Sequence, residues 1–188
     1  MTQRVLGVVL AGGRSMRMGR DKAALPHPDG GTFLEHSIRR LSSICDFVVV
    51  SGSSSVPHDA KTLEDPVNHR GPATGIATAL QFCLTEGFDA AIITPVDTPS
   101  LSTQDVQCLL AHWQKTGRVT LAQTGKLQPL IGIYPAGEAD LIRQLADSDD
   151  CSLVRWFESR NHEIVSLSEL ACRNVNAPAD LPQEDPHD

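Results

Sequence analysis

Short apolar runs alternate with helical patterns along most of this 188-residue chain, and that alternation limits the fold more than any other feature. Residues 5–10, 47–50, 61–64 and 90–94 read as strands, the third of them short and weak. Between them Phe33, Leu34, Ile38, Leu41 and Ile44 fall on one helical face, and residues 75–84 read as a helix rich in small side chains. Thr32 and Glu35 have the spacing of a capping box. So do Ser102 and Asp105, ahead of an apolar stripe of Val106, Leu109, Leu110 and Trp113 that Gly117 ends. Residues 119–122 and 129–134 flank Thr124-Gly125-Lys126 as a hairpin. Residues 138–145 and 152–158 read as helices, 163–167 as a last strand, and Pro178 suits the first turn of a terminal helix. The pattern predicts an α/β fold, its sheet mixed but mostly parallel and covered by helices on both faces. One domain is expected over residues 1–188, with a frayed polar tail at 183–188. Ser53-Ser54-Ser55 reads as a flexible loop, too short to be a linker.

The first strand runs into L-A-G-G-R-S-M-R-M-G-R-D-K, residues 10–22. Gly12 and Gly13 leave the main chain bare at the strand's carboxyl end, where a phosphate can approach without meeting a Cβ. Arg14, Arg17, Arg20 and Lys22 follow and can neutralise a triphosphate. Glycines and charges alone also suit an ordinary turn with a solvated basic face. Two common phosphate loops are excluded. Lys22 precedes Ala23, not Ser or Thr, and adjacent glycines at 12 and 13 do not make G-x-G-x-x-G.

Ten positions of the string, Leu10, Ala11, Gly12, Gly13, Ser15, Arg17, Met18, Gly19, Asp21 and Lys22, match L-A-G-G-x-S-x-R-M-G-x-D-K. The string thus resembles the signature of the nucleotidyltransferases of the GT-A-like, Rossmann-like fold, and in particular of the molybdenum cofactor guanylyltransferases. The resemblance runs from Val5 to about Leu181 and implies transfer of GMP from GTP to the terminal phosphate of molybdopterin carrying molybdenum. It also implies Mg²⁺ as cofactor, and molybdenum-insertion proteins and target molybdoenzymes or their chaperones as partners. Leu10, Ala11, Gly12 and Gly13 would read the base and approach the phosphates, while Arg17 and Lys22 would stabilise the triphosphate and the departing pyrophosphate.

Other candidate residues sit where strands end, the usual ligand edge of such sheets. Asp97 lies in Thr94-Pro-Val-Asp-Thr-Pro99, between two prolines. Read alone it is a solvated turn aspartate or a ligand for a hard cation, which wants one or two carboxylates plus phosphate oxygens. The T-P-x-D-T-P string resembles the family's metal-binding loop, which makes Asp97 the expected Mg²⁺ ligand. Asp65, followed by Gly71-Pro-Ala-Thr-Gly-Ile76, resembles the family's D…G-P-L-A-G segment, with Ala73 and Thr74 departing from Leu-Ala. That implies a nucleotide role for Asp65 and Gly71, although Asp65 also fits an Asx turn before Pro66. Ser51 stands where some members carry a nucleotide-contacting asparagine. Gln128, Asn174 and Asn176 resemble acceptor-side segments, the two asparagines also fitting a cap before Pro178. The seven histidines show no ligand spacing and read as polar contacts.

A formal charge of -7 makes the chain a poor ligand for nucleic acid or an anionic membrane. Five cysteines lack C-x-x-C spacing, so neither a disulfide framework nor a zinc site is indicated. No signal peptide or long apolar run appears, and a cytoplasmic location is expected. The nearest rival is a cytidylyltransferase for the same acceptor; such chains tend to carry L-A-A-G, and the roomier Gly12-Gly13 turn suits a purine. A sugar-phosphate nucleotidyltransferase would be longer. A nucleotide-binding adaptor without turnover would be expected to lose Asp97 or Lys22.

Overall fold

The computed structural model describes residues 3–11, 21–64, 71–175 and 180. Seven strands form one sheet: β1 (Val5–Leu10), β2 (Phe47–Ser51), β3 (Lys61–Leu63), β4 (Ala90–Pro95), β5 (Thr120–Gln123), β6 (Leu127–Pro135) and β7 (Glu163–Ser166). Their order is β3-β2-β1-β4-β6-β5-β7. Neighbours pair in parallel except for β6, which runs against both β4 and β5. The mixed, mostly parallel α/β sheet is as the sequence implied. Its antiparallel member is the second arm of the expected hairpin, where Thr124 N–H donates to the Lys126 carbonyl at 3.0 Å.

Among the described residues five α-helices cover the sheet: α1 (Phe33–Ser42), α2 (Pro72–Glu86), α3 (Thr103–Thr116), α4 (Ala139–Asp147) and α5 (Leu153–Glu158). Alternate residues of β1 feed two cores. Val5 and Val9 pack with Phe33, Leu34 and Leu41 of α1 and with Leu109 and Trp113 of α3. Leu6 and Val8 pack with Ile76 and Leu80 of α2, Ile142 of α4 and Phe157 of α5. This is the period-two alternation of a strand covered on both faces. Both expected capping boxes are present, Thr32 with Glu35 and Ser102 with Asp105, and Gly117 ends α3 in the left-handed region. Helix α2 starts three residues earlier than its small-residue pattern suggested, because Pro72 occupies its first turn. Pro178 and residues 183–188 lie outside the described residues.

The chain builds β1, β2 and β3 outward in one direction, then returns through α2 to place β4 on the other side of β1. That reversal opens a crevice at the carboxyl ends of β1 and β4, where such sheets bind ligands.

Candidate active site

Leu10 pairs with Pro95 across the crevice, and beyond them the Val96 amide donates to the Leu10 carbonyl at 3.1 Å. On the other side the Ala11 amide donates to the Ser51 carbonyl at 2.9 Å. The ends of β2, β1 and β4 are thus tied side by side. These bonds already engage the Ala11 amide. The expected approach of a phosphate to bare backbone therefore falls to Gly12 and Gly13, which lie outside the described residues, as do Arg17 and Asp65. Ser51 ends β2 and is only 2% exposed, so it offers a ligand almost no surface.

Asp97 sits just past β4 on a loop fixed from several directions. Its carbonyl accepts from the Val175 amide at 2.8 Å, and the Thr98 hydroxyl donates to the Pro95 carbonyl at 3.0 Å. The buried Arg40 guanidinium of α1 donates from Nη1 to the Leu101 carbonyl at 2.7 Å. Burial pulls the pKa of Arg40 down to about 10, and the nearby Asp105 charge partly opposes that. Arg40 therefore stays cationic at neutral pH and staples the loop to α1.

Lys22 reaches Asp97 from the other side. It opens a short 3₁₀ turn, Lys22–Ala24, capped by Asp21, whose carboxylate accepts from the Ala23 amide at 2.9 Å. From there the Lys22 ammonium lies 2.7 Å from Asp97 Oδ2, with the two side chains 20% and 15% exposed. The structure thus joins two predicted residues that are 75 positions apart. A fixed, largely dehydrated carboxylate already touching an ammonium ion suits a hard divalent cation in the same place, with phosphate oxygens completing the shell.

The remaining candidates border the same edge. Gly71 precedes α2 with φ of 99°, a backbone conformation glycine adopts readily, and the 15-residue helix points its amino terminus toward the ligand edge. Gln128 is the second residue of β6, whose antiparallel course brings its amino end to that edge, and its Nε2 donates to Thr124 Oγ1 at 3.3 Å. Asn174 is exposed, next to the Val175 amide that binds the Asp97 loop. Asn176 lies outside the described residues.

Three arrangements were not foreseen in the sequence. Asp21 Oδ2 accepts from the Ser55 amide at 2.6 Å, the Ser55 hydroxyl at 2.7 Å and the Ser54 hydroxyl at 3.3 Å. The serine loop expected to be flexible is therefore tied to the base of Lys22. Burial opposes ionisation of Asp21, but these bonds and that from Ala23 outweigh it and hold its carboxyl below the ordinary range. The second is the buried Arg40, to which the sequence reading assigns no role. The third lies behind the Asp97 loop, where a cavity of 610 Å³ is lined by His27, Asp29, His36 and Arg40 among others. Donor atoms of His27, Asp29 and His36 lie within 4.8 Å of one another. The two imidazoles are stacked at 3.5 Å, 10° from parallel, so their in-plane lone pairs do not converge on one ion. Nε2 of His27 lies 3.3 Å from the Pro99 carbonyl, making the pair a brace for the Asp97 loop. Burial first, then the nearby His27 and Arg40, lowers the pKa of His36 to about 4, which keeps it neutral.

Comparison with known proteins identifies a family and relatives of the same fold. Residues 7–164 match the family model of the MobA-like NTP transferase domain. A probable molybdenum cofactor guanylyltransferase of Rhodopirellula baltica is 43% identical over 94% of this chain and 90% of its own. The crystal structure of molybdopterin-guanine dinucleotide biosynthesis protein A from Archaeoglobus fulgidus superposes with a TM-score of 0.75 at 18% identity, covering 94% of each chain. A Mycobacterium tuberculosis protein solved in complex with manganese has a TM-score of 0.64 at 14% identity, over 89% of this chain and 90% of that one. Among the described residues no helix is long and apolar enough to cross a membrane.

Proposed function

The chain belongs to the family of MobA-like NTP transferases, as a nucleotidyltransferase that groups with the molybdenum cofactor guanylyltransferases, and we propose that it moves GMP from GTP onto the terminal phosphate of molybdopterin carrying molybdenum. An acceptor phosphate oxygen attacks the α-phosphorus of GTP. The bond from that phosphorus to the β-phosphate bridging oxygen breaks, and pyrophosphate leaves with the bonding pair. The acceptor is a phosphate monoester and already anionic, so the site needs no strong base. Its work is positioning and charge neutralisation.

The observation that carries this reading is the Lys22–Asp97 pair at the crevice between β1 and β4. Lys22 lies on a short, capped turn and supplies a cation for the triphosphate and the departing pyrophosphate. Asp97 is assigned to Mg²⁺, which when bound screens phosphate charge and makes the α-phosphorus more electrophilic. Arg17, Leu10, Ala11, Gly12, Gly13, Asp65 and Gly71 are assigned to the nucleotide side, and Gln128, Asn174 and Asn176 to the acceptor side, while the buried Ser51 is left as a support for the strand end rather than a ligand contact.

Calorimetric titration with GTP, CTP and ATP in the presence of Mg²⁺ tests the nucleotide assignment. GTP is expected to bind tightest. CTP binding as tight as GTP would remove the guanine assignment and favour a cytidylyltransferase.

A further inference from the structure

We propose that Lys22 is a resident counter-ion that keeps divalent metal off Asp97 until a nucleotide arrives. This rests on the assignment of the metal to Asp97 but not on which nucleotide is used.

The argument starts from which partner can move. Asp97 is held through its own carbonyl by Val175, through Val96 by Leu10, and through Leu101 by Arg40. Pro95 and Pro99 restrict the loop on either side. The turn under Lys22 is fixed in the same way, with Asp21 bonded to the amide of Ala23 and to Ser55. What remains adjustable is the four-carbon stem of the lysine.

The ammonium and a divalent ion compete for one carboxylate. With the ammonium 2.7 Å from Oδ2 and both side chains mostly shielded from water, a metal ion bonded to that oxygen would meet a cation a few ångströms away. At such distances the repulsion in a partly dehydrated site is several times that in bulk water. Metal binding to the nucleotide-free protein must therefore break the pair and move the ammonium away from Asp97. A triphosphate removes that penalty, because it gives the displaced ammonium an anion to bind and gives the metal further oxygen ligands. The two cations then exchange roles: the lysine passes to the phosphates and the metal takes Asp97. Metal and nucleotide enter together, and free metal does not hold the site closed between turnovers.

The test is metal binding without nucleotide, followed by electron paramagnetic resonance of free Mn²⁺ during titration of the full chain. Lys22→Met and Lys22→Gln remove the ammonium and are both expected to bind Mn²⁺ about tenfold tighter than the parent, whereas Lys22→Arg keeps a cation and stays near the parent. Asp97→Asn combined with Lys22→Met should abolish the gain. Thermal melting confirms that each variant is folded, and the glutamine variant serves if the methionine one is not. Unchanged or weaker Mn²⁺ binding in a folded neutral variant overturns the proposal. So does a gain that survives Asp97→Asn. Because no nucleotide is present, loss of the guanine assignment would leave this result untouched.

Discussion

Replacing Asp21 with alanine tests whether this signature residue positions the lysine beside it. Its carboxylate accepts from the Ala23 amide at 2.9 Å, the Ser55 amide at 2.6 Å, the Ser55 hydroxyl at 2.7 Å and the Ser54 hydroxyl at 3.3 Å. Loss of a capping carboxylate costs about 1 kcal/mol. The bonds to Ser55 are charge-assisted but lie at an exposed loop, where water replaces part of what is lost, so they add about 1–2 kcal/mol. The total, about 2–3 kcal/mol, corresponds to a melting temperature lower by roughly 4–12 °C for a chain of this size. With its turn uncapped and the serine loop released, Lys22 loses its fixed base, and kcat/KM for nucleotidyl transfer is expected to fall at least about tenfold. Asp21→Ser keeps a short cap for Ala23 but cannot reach Ser55, and should fall between. Acid supplies an independent check. The folded-state pKa of Asp21 is depressed, so its stabilisation is present above the unfolded value of about 4 and is lost as pH falls through the lower folded value. The melting temperatures of parent and Asp21→Ala should converge in that range and differ most near neutrality. An alanine variant that melts with the parent at pH 7 and turns over at the parent rate would refute the reasoning.

Lys22→Ala should lose about 3 kcal/mol of transition-state stabilisation, roughly a hundredfold in turnover, while remaining folded; turnover within threefold of the parent would remove the phosphate role. Asp97→Asn should abolish metal-dependent turnover yet weaken nucleotide binding only modestly, whereas Asp65→Asn should mainly raise the GTP concentration required. Full turnover in the first and loss in the second would reverse the two assignments. Gly132→Ala should destabilise the β5–β6 pair, because a Cβ there would stand 2.6 Å from Leu121 Cδ2 and 2.7 Å from the Thr120 carbonyl oxygen. A cost of about 1–3 kcal/mol is expected in urea unfolding, with near-parent activity per folded molecule.

The parts of this structure that were legible in the sequence depend on neighbours a few residues apart. Thr32 with Glu35 and Ser102 with Asp105 are local bonds, visible as spacings, and the structure contains both boxes. The continuous apolar run of β1 and the hairpin at Thr124 are equally local, which is why the mixed sheet could be anticipated. The start of α2 was misjudged by pattern matching alone, since its small residues give a weak stripe while the Gly71-Pro72 pair marks the true boundary. The long-range parts were not legible. Nothing near Asp21 announces Ser55, and although Arg40, seven residues after Phe33, falls on the buried face of α1 and Arg39 does not, that spacing does not say which loop the guanidinium binds.

Those illegible contacts account for how the legible motifs work. Among the described residues the signature string brings Lys22 and the T-P-x-D-T-P loop brings Asp97 to the crevice, and a 2.7 Å contact between them tolerates little backbone drift. Each is therefore anchored by a residue outside the chemistry. Asp21 and Ser55 fix the turn under the lysine, while Arg40, the His27–Pro99 contact and the Val175 amide fix the loop under the carboxylate. Such anchors can come from any element within reach, so they leave no spacing to recognise. A motif marks the charged groups of the candidate site, but how firmly the protein holds them is decided by contacts that only the fold brings together.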